Sequence, residues 1–327
     1  MKATLALFGG AGLALAVAAR AASLSAPTTY RGMCDASAAV SLNADLFAVA
    51  NDEDNILRVY HRQPGGLPAF SFDMTSFLRI GNRHPESDIE GCAAIGDRVY
   101  WITSHGRNAR GKDAPNRERF FATTFTVTNG AVRMSPVGRP CTVLLNDLIR
   151  DARLSRFNLA AASLRAPKEP GALNIEGLGS TPEGHLLIGF RNPVPRGKAL
   201  LVPLLNPAEL ITGQAAKFGE PILLGLGGYG VRSIGRVKDS YLIIAGSYNN
   251  DGESRAYTWA GGNSVPVHLA GVSFPGLNPE GLAYQNEHGQ TEFFVVSDDG
   301  TLKFGDVECK RLADPSRRQF RGYTLLP

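Results

Sequence analysis

Asn278-Pro-Glu-Gly-Leu282, together with the strand-like run Glu292-Phe-Phe-Val-Val-Ser297, is one copy of a pattern that recurs five times along the 327-residue chain. Every copy opens with Asp, Asn or Gly, which suit a turn, and continues through a short turn into a β-rich run. A hairpin repeated in this way is typical of propeller blades. The other four copies begin Asp35-Ala-Ser-Ala-Ala39, Asp88-Ile-Glu-Gly-Cys92, Asn174-Ile-Glu-Gly-Leu178 and Gly230-Val-Arg-Ser-Ile234.

The fourth residue of every copy is small, which fits a crowded place where strands converge on a central axis. Further strands follow most hairpins, so each unit supplies about four strands. The chain is therefore predicted to be all-β, a β-propeller with five blades favoured and six possible, rather than a sandwich or a barrel. The small residues are Ala38, Gly91, Gly177, Ser233 and Gly281.

The interval between the second and third copies is longer than the others. It contains a stretch near residues 142–161 in which Leu144, Leu145, Leu148 and Ile149 recur at helical spacing. We interpret this stretch as a helical insertion between blades, with a degenerate sixth blade as the alternative. The final run, Phe320–Leu326, and the segment before Cys34 are expected to share a blade and close the ring.

The first 21 residues resemble a signal peptide, with an uncleaved anchor as the alternative. Lys2 precedes an apolar stretch, and Ala19-Arg-Ala21 offers the small residues at which such peptides are cleaved. Residues 22–327 would then form a single propeller domain, expected to be a monomer, in the periplasm or outside a bacterial cell. Loss of Lys2 and Arg20 lowers the formal net charge from +4 to +2. With no dense basic run and no later membrane span, nucleic acid and membrane partners are not expected.

Four cysteines allow three pairings, and export makes disulfides permissible. Cys34 and Cys309 lie at opposite ends of the chain, which a closed propeller brings together, so this is the first pair to test. Cys92 lies in an apolar strand pattern and is interpreted as a buried small hydrophobe. The cysteines show no spacing typical of a zinc site.

The third residue of each copy is the first candidate for chemistry, since equivalent places in a propeller lie around one axis. Carboxylates brought that close repel one another unless they are paired or bound to metal. Arg232 would pair with a neighbouring glutamate, or Ca²⁺ would be held by Glu90, Glu176 and Glu280. The alternative is a structural ring that locks the blades together. The five residues are Ser37, Glu90, Glu176, Arg232 and Glu280.

A second candidate set lies seventeen residues after the start of each copy, where the loops at one mouth of the channel are expected. His105 with Asp52 or Asp298 is a candidate for proton transfer, since imidazole titrates near neutrality. Arg191 would bind an anionic group, together with Arg232. The alternative is a set of solvated turn residues. The set is Asp52, His105, Arg191, Ser247 and, after a longer turn, Ser297 or Asp298.

Several motifs together resemble the bacterial domain of unknown function (DUF) 3616 family. They run from Cys34 to Tyr323 and include the runs that begin at Asp88, Asn174 and Asn278, with the terminal Gln319-Phe-Arg-Gly-Tyr-Thr-Leu325. This resemblance implies the fold and its boundaries. The Glu-Gly turns are also similar, more loosely, to those of esterase-like or phytase-like propellers, which implies metal-assisted phosphoester or ester hydrolysis. The nucleophile elbow, the zincin motif and the Walker A motif do not occur.

Three functions are consistent with these patterns. The leading hypothesis is a propeller that binds a small anionic ligand or a cation at the mouth of its channel. The second is a metal-assisted hydrolase in which His105 is the base and Arg191 orients the substrate. The third is a structural scaffold for another envelope protein. Whether the protein is an enzyme stays open.

Overall fold

The computed structural model describes residues 23–81, 85–287 and 290–326. The predicted signal peptide, residues 1–21, lies outside these residues. Two short strands come first, and five blades follow. The strands that precede the blades are β1 (Ser23–Leu24) and β2 (Thr28–Arg31). Blade 1 has β3 (Ala36–Ser41), β4 (Leu46–Asn51), β5 (Ile56–His61) and β6 (Phe70–Asp73). Blade 2 has β7 (Ile89–Ile95), β8 (Arg98–Thr103), β9 (Phe120–Thr128) and β10 (Ala131–Cys141).

The remaining blades repeat the same antiparallel order, and four short α-helices lie between strands. Blade 3 has β11 (Asn174–Ser180), β12 (Leu186–Asn192), β13 (Ala199–Leu204) and β14 (Ile222–Leu224). Blade 4 has β15 (Gly230–Val237), β16 (Ser240–Gly246), β17 (Arg255–Trp259) and β18 (Val267–His268). Blade 5 has β19 (Pro279–Glu287), β20 (Gln290–Ser297) and, after the hairpin of β21 (Lys303–Phe304) and β22 (Val307–Glu308), β23 (Gln319–Leu326). The helices are α1 (Thr75–Leu78), α2 (Leu144–Arg150), α3 (Leu159–Ala162) and α4 (Pro207–Leu210). Short 3₁₀ turns cover Pro115–Arg117, Ala152–Phe157, Pro195–Gly197, Cys309–Arg311 and Pro315–Arg317.

The first strand of each blade is the innermost one. Each inner strand contacts the inner strand of the next blade, and β19 contacts β3, so the ring is closed. The prediction of a five-bladed all-β propeller is confirmed.

The small residues at the fourth place of the repeat lie where adjacent inner strands touch. A Cβ atom added to Gly91 would come within 2.8 Å of the carbonyl oxygen of Glu176 in the next blade. A Cβ atom on Gly177 would lie 2.7 Å from a methyl group of Val231. Real Cβ atoms do not make such contacts, so the crowding inferred from the sequence is present.

The N-terminal strands complete the last blade. Strand β2 pairs with β23 in antiparallel register, with Tyr30 opposite Phe320, and β1 extends the pairing. The centroid of the Tyr30 ring lies 5.0 Å from that of Phe320 and 5.1 Å from that of Phe47 in blade 1. Buried aromatic pairs of this kind stabilise beyond their buried area. The predicted closure, in which both ends of the chain share a blade, is confirmed.

A disulfide reinforces the closure. Cys34 and Cys309 are bonded, with their Cα atoms 6.0 Å apart across 275 residues of sequence. Cys92 and Cys141 are free. The predicted pairing is thus confirmed, and its place follows from the ring, which brings the two chain ends together.

The predicted insertion is helical. Helices α2 and α3 and the turn between them connect blade 2 to blade 3. Leu144, Leu148 and Leu159 are buried against the core shared by these two blades. Among the residues that the structure describes, no helix combines the length and the apolar character that crossing a membrane requires.

We predict that replacing Cys34 and Cys309 with serine lowers the free energy of unfolding by roughly 2–5 kcal/mol, because the bond restricts the unfolded chain. Guanidinium chloride unfolding without reductant measures the loss. As a control, reductant should lower the unfolding midpoint of the unmodified protein and leave that of the double variant unchanged. Equal midpoints for the two proteins would contradict a stabilising role of the bond.

Candidate functional site

The third residue of each repeat lies at a β-bulge. In all five blades the pairing between the first two strands shifts at this residue, as between Ile89 and Gly91 around Glu90. A bulge bends the strand and redirects a side chain. The bulges place the third residues at one end of the channel, and four of the five enter one continuous polar cluster.

Blades 3, 4 and 5 are joined by a chain of ion pairs. Arg191 lies 2.6 Å from one oxygen of Glu176, and Arg232 lies 3.5 Å from the other. Arg232 also forms an ion pair with Glu280 of blade 5. All four side chains are buried. Burial alone would lower the pKa of Arg232, but the carboxylates of Glu280 and Glu176 raise it, so the guanidinium is charged.

Neighbouring amides and backbone groups accept further hydrogen bonds from the two arginines. Arg191 donates to the carbonyl oxygen of Ser247 at 2.8 Å and to the side chain of Asn250. Arg232 donates to Asn278, whose amide group in turn donates to Asp298 at 2.9 Å. In blades 3 to 5 each of the two glutamates is therefore paired with an arginine.

The other half of the cluster is acidic. One carboxylate oxygen each from Asp52, Asp88 and Glu90 lies within 4.8 Å of the other two. Glu90 is 9% exposed and has no hydrogen bond or ion pair to the described part of the chain. One oxygen of Asp52 is buried and equally without a partner. Of these three acids, Asp88 is the one with an ion pair in the described part of the chain, to Arg117 at 3.0 Å.

Burial and mutual repulsion raise the pKa values of these acids. Burial is the larger cause for Asp52 and Glu90, and neighbouring carboxylates, among them Asp298 and Asp88, raise the pKa of each further. Burial also raises the pKa of Asp88 to about 6, although Arg117 opposes the change. The pKa of Glu280 rises to about 8 for the same reason, against the effect of Arg232. Without a counter-charge, Asp52 and Glu90 hold their protons to a higher pH than free carboxyl groups do.

The acids and the ion pairs line one cavity of about 210 Å³ at the channel mouth. Most of its wall comes from the repeats, and the rest comes from three loops. The lining residues are Asp52, Asp88, Glu90, Ala109, Arg117, Pro167, Lys168, Asn174, Glu176, Arg191, Asn250, Glu280 and Asp298.

His105 does not line this cavity. Its Nδ1 atom lies 2.7 Å from the carbonyl oxygen of Thr103, and its buried Nε2 atom has no partner among the described residues. Burial lowers the pKa of His105 to about 4, so the ring is neutral. The structure does not bring His105 together with Asp52 and Asp298, and the predicted role of a base at the mouth does not fit its position.

Ser37 also lies outside the cavity wall. Its hydroxyl donates to the carbonyl oxygen of Ile89 at 2.5 Å and so ties blade 1 to blade 2. Ser247 accepts a hydrogen bond from Arg191 through its carbonyl oxygen and not through its side chain. The predicted residues brought together at the cavity are Glu90, Glu176, Glu280, Arg191, Asp52 and Asp298. Arg232 is not part of the cavity wall but forms an ion pair with Glu280.

Some functional residues were not found from the sequence. Asp88, Asn174 and Asn278 open their copies of the repeat, so a comparison of the first places would have identified them. Arg117 and Lys168 lie in long loops without an equivalent in the other blades, so no repeat pattern marks them.

Comparison with known proteins places the chain near one family. The family described as "Protein of unknown function (DUF3616)" matches residues 123–273, which confirms the resemblance seen in the sequence motifs. Among curated proteins, none matches the chain in sequence.

Solved propeller structures align over most of the chain at low identity. Glutaminyl cyclase from Myxococcus xanthus has a TM-score of 0.45 and 12% identity, over 94% of this chain and 98% of that one. A PQQ-bound aldose sugar dehydrogenase from Streptomyces coelicolor has a TM-score of 0.44 and 11% identity, over 93% and 98%. Trypanosoma rangeli sialidase has a TM-score of 0.41 and 10% identity, over 90% and 55%. At these scores the similarities carry no functional inference.

We predict that Arg232→Met destabilises the protein by about 3 kcal/mol, because removal of one partner leaves buried carboxylates without a counter-charge. Urea unfolding at pH 7 measures the change. Arg110→Met, at an exposed arginine, is the matched control and should be neutral. The double variant Arg232→Met/Glu280→Gln should recover part of the loss, and a double variant less stable than the single one would contradict the charge explanation.

We also predict that the metal-free protein loses stability as the pH rises from about 4 to about 8. The folded protein holds protons on Asp52, Asp88 and Glu90 more tightly than the unfolded chain does, so deprotonation favours unfolding. The fall should amount to a few kcal/mol, since one pKa unit corresponds to about 1.4 kcal/mol. Acids whose pKa the fold lowers, such as Glu209, change the stability below this pH interval. Urea midpoints in EDTA that rise from pH 5 to pH 8 would refute the prediction.

Proposed function

We propose that the channel mouth of this DUF3616-like propeller binds one divalent cation of the Ca²⁺ type through Asp52, Asp88 and Glu90. The observation that carries the proposal is the buried carboxylate of Glu90, which has no partner among the described residues although it faces two other acids. Buried charges in proteins are paired or coordinate metals. A cation supplies the counter-charge that this half of the ring lacks.

The choice of ion follows from the donor atoms. The three residues offer carboxylate oxygens alone, which suit Ca²⁺, Mg²⁺ or Mn²⁺ rather than softer metals. Ca²⁺ takes roughly six to eight oxygen ligands, more than three carboxylates provide in monodentate fashion. Water or ligand oxygens in the cavity would complete the shell. The site would therefore hold an ion while leaving it accessible to a small molecule.

This ligand set differs from the one expected from the repeat. Glu90 stays in it, but Glu176 and Glu280 are engaged by Arg191 and Arg232. Asp52 and Asp88 take their places, because they lie next to Glu90. The same ion pairs weaken the idea that the two arginines bind an anion, since most of their donors already have acceptors.

A second candidate function is metal-assisted hydrolysis of a phosphoester or ester, and Lys168 favours it. Lys168 is exposed at the cavity and forms no ion pair in the described part of the chain. The buried Asn192 donates to the carbonyl oxygens of Pro167 and Glu169 at 2.9 and 2.8 Å and fixes the loop on both sides of Lys168. Lys168 would then orient an anionic substrate group, while a bound cation activates water.

Export to the periplasm or the medium belongs to the same proposal. The disulfide between Cys34 and Cys309 supports an oxidising compartment. Ca²⁺ is abundant outside the cell, and known extracellular modules bind it with dissociation constants of about 10⁻⁴–10⁻³ M. A site of such affinity would be filled there.

The proposal predicts that Ca²⁺ raises the melting temperature of the EDTA-treated protein, since binding to the folded state alone stabilises it. Glu90→Gln removes one ligand charge and should weaken binding at least tenfold in calorimetry. Glu183→Gln, at an exposed glutamate, is the control and should bind as the unmodified protein does. Binding should tighten from pH 5 to pH 8, because protons compete for the same oxygens.

The absence of both heat and thermal shift with Ca²⁺, Mg²⁺ and Mn²⁺ would overturn the cation site. Tight binding that Glu90→Gln leaves unchanged would place the ion elsewhere. The hydrolase candidate requires in addition that the loaded protein cleaves p-nitrophenyl phosphate or p-nitrophenyl acetate. Lys168→Met should then reduce turnover without changing Ca²⁺ affinity.

A further inference from the structure

The opposite mouth of the channel contains a second and larger cavity of about 370 Å³. All five inner strands contribute to its wall, with Ala39 from β3, Ala93 from β7, Gly179 from β11, Gly235 from β15 and Ala283 from β19. No described residue lines both this cavity and the acidic one. A function here would therefore be independent of the proposed cation site.

The floor of this cavity is apolar. Ala39, Cys92, Ile234 and Leu282 occupy the fifth place of four repeats and line it from below. The walls above carry small residues, so the backbone lies close to the enclosed space. Each inner strand pairs with only one neighbour, and its other edge is open towards the axis. Ligand pockets commonly combine such an apolar interior with a few polar groups, at volumes of about 300–1,000 Å³.

One charged residue distinguishes the wall. Among the described lining residues, Arg236 alone carries a charge. It donates one hydrogen bond, to the carbonyl oxygen of Lys238 at 2.9 Å, and has no ion pair with a carboxylate in the described part of the chain. The other donors of its guanidinium group are therefore available. A guanidinium group binds a carboxylate in bidentate fashion with two parallel hydrogen bonds.

We propose that this cavity binds a small apolar molecule that ends in a carboxylate, the class to which short fatty acids belong. The apolar body fills the space above Ile234 and Leu282, and the carboxylate pairs with Arg236 at the mouth. Tyr284, which is 41% exposed at the same mouth, lies on the path of entry.

Calorimetric titration with sodium octanoate tests the proposal. The unmodified protein should bind one octanoate, and Arg236→Met should weaken binding about tenfold because the carboxylate loses its partner. Uncharged 1-octanol should bind both proteins equally. Arg133→Met, at an exposed arginine of β10, is the matched control and should bind octanoate as the unmodified protein does.

Cys92 provides a second readout within the cavity. It is partly exposed and lines the floor, whereas the other free cysteine, Cys141, is buried elsewhere. Burial raises the pKa of the Cys92 thiol, so alkylation by iodoacetamide, which needs the thiolate, is followed at alkaline pH with excess reagent. In a Cys141→Ser background, octanoate should slow this alkylation at least threefold. Ser180→Phe, which places a ring in the cavity, should abolish octanoate binding and remove the protection.

No heat with octanoate up to millimolar concentration, together with unchanged alkylation of Cys92, would overturn the site. Equal octanoate affinity in Arg236→Met and the unmodified protein would overturn the role of the carboxylate. Circular dichroism of each variant confirms that it is folded, and a folded Ser180→Phe that still binds octanoate would place the ligand outside the cavity. None of these results depends on Ca²⁺, so they are separable from the proposed cation site.

Discussion

The guanidinium of Arg232, held between Glu176 and Glu280, is the interaction on which the acidic end of the channel depends. Five inner strands converge on one axis, and their bulges direct side chains into one small volume. Buried carboxylates at such short range repel strongly in a low dielectric. One cation placed between two of them turns that repulsion into contacts that join blades 3, 4 and 5.

The other half of the ring, formed by blades 1 and 2, has no cation in the described part of the chain that corresponds to Arg232. Blade 1 carries Ser37 at the place of the repeat where blade 4 carries Arg232, so the acids of blades 1 and 2 lack an equivalent partner. Among the described residues, Glu90 and Asp52 are left without a counter-charge, because Arg117 pairs with Asp88 and Glu86 instead. A purely structural ring would have no reason to bury acids in this way, since each costs free energy unless it is compensated. The asymmetry is the physical basis of the proposed cation site.

The two mouths of the channel differ because different places of the repeat face each of them. The third place provides charge at one end, and the fifth place provides apolar side chains at the other. Between them lie the small residues of the fourth place, which let the strands approach closely and separate the two cavities. One repeat thus specifies two chemically distinct surfaces, and the loops after each strand modify them blade by blade.

The sequence by itself determined the repeat, and with it the crowded axis and the closure of the ring by both chain ends; it favoured five blades over six. These follow from local patterns, since turn residues, small residues and strand periodicity act within each copy. The pairing of Cys34 with Cys309 followed from closure alone. Only the tertiary structure decided which acids are compensated, because the ion pairs of Arg191 with Glu176 and of Arg117 with Asp88 join loops and strands distant in the chain. It also separated His105 from the cavity, although His105 holds the same place in the repeat as Asp52, because side-chain direction at a strand end depends on the local turn rather than on sequence spacing.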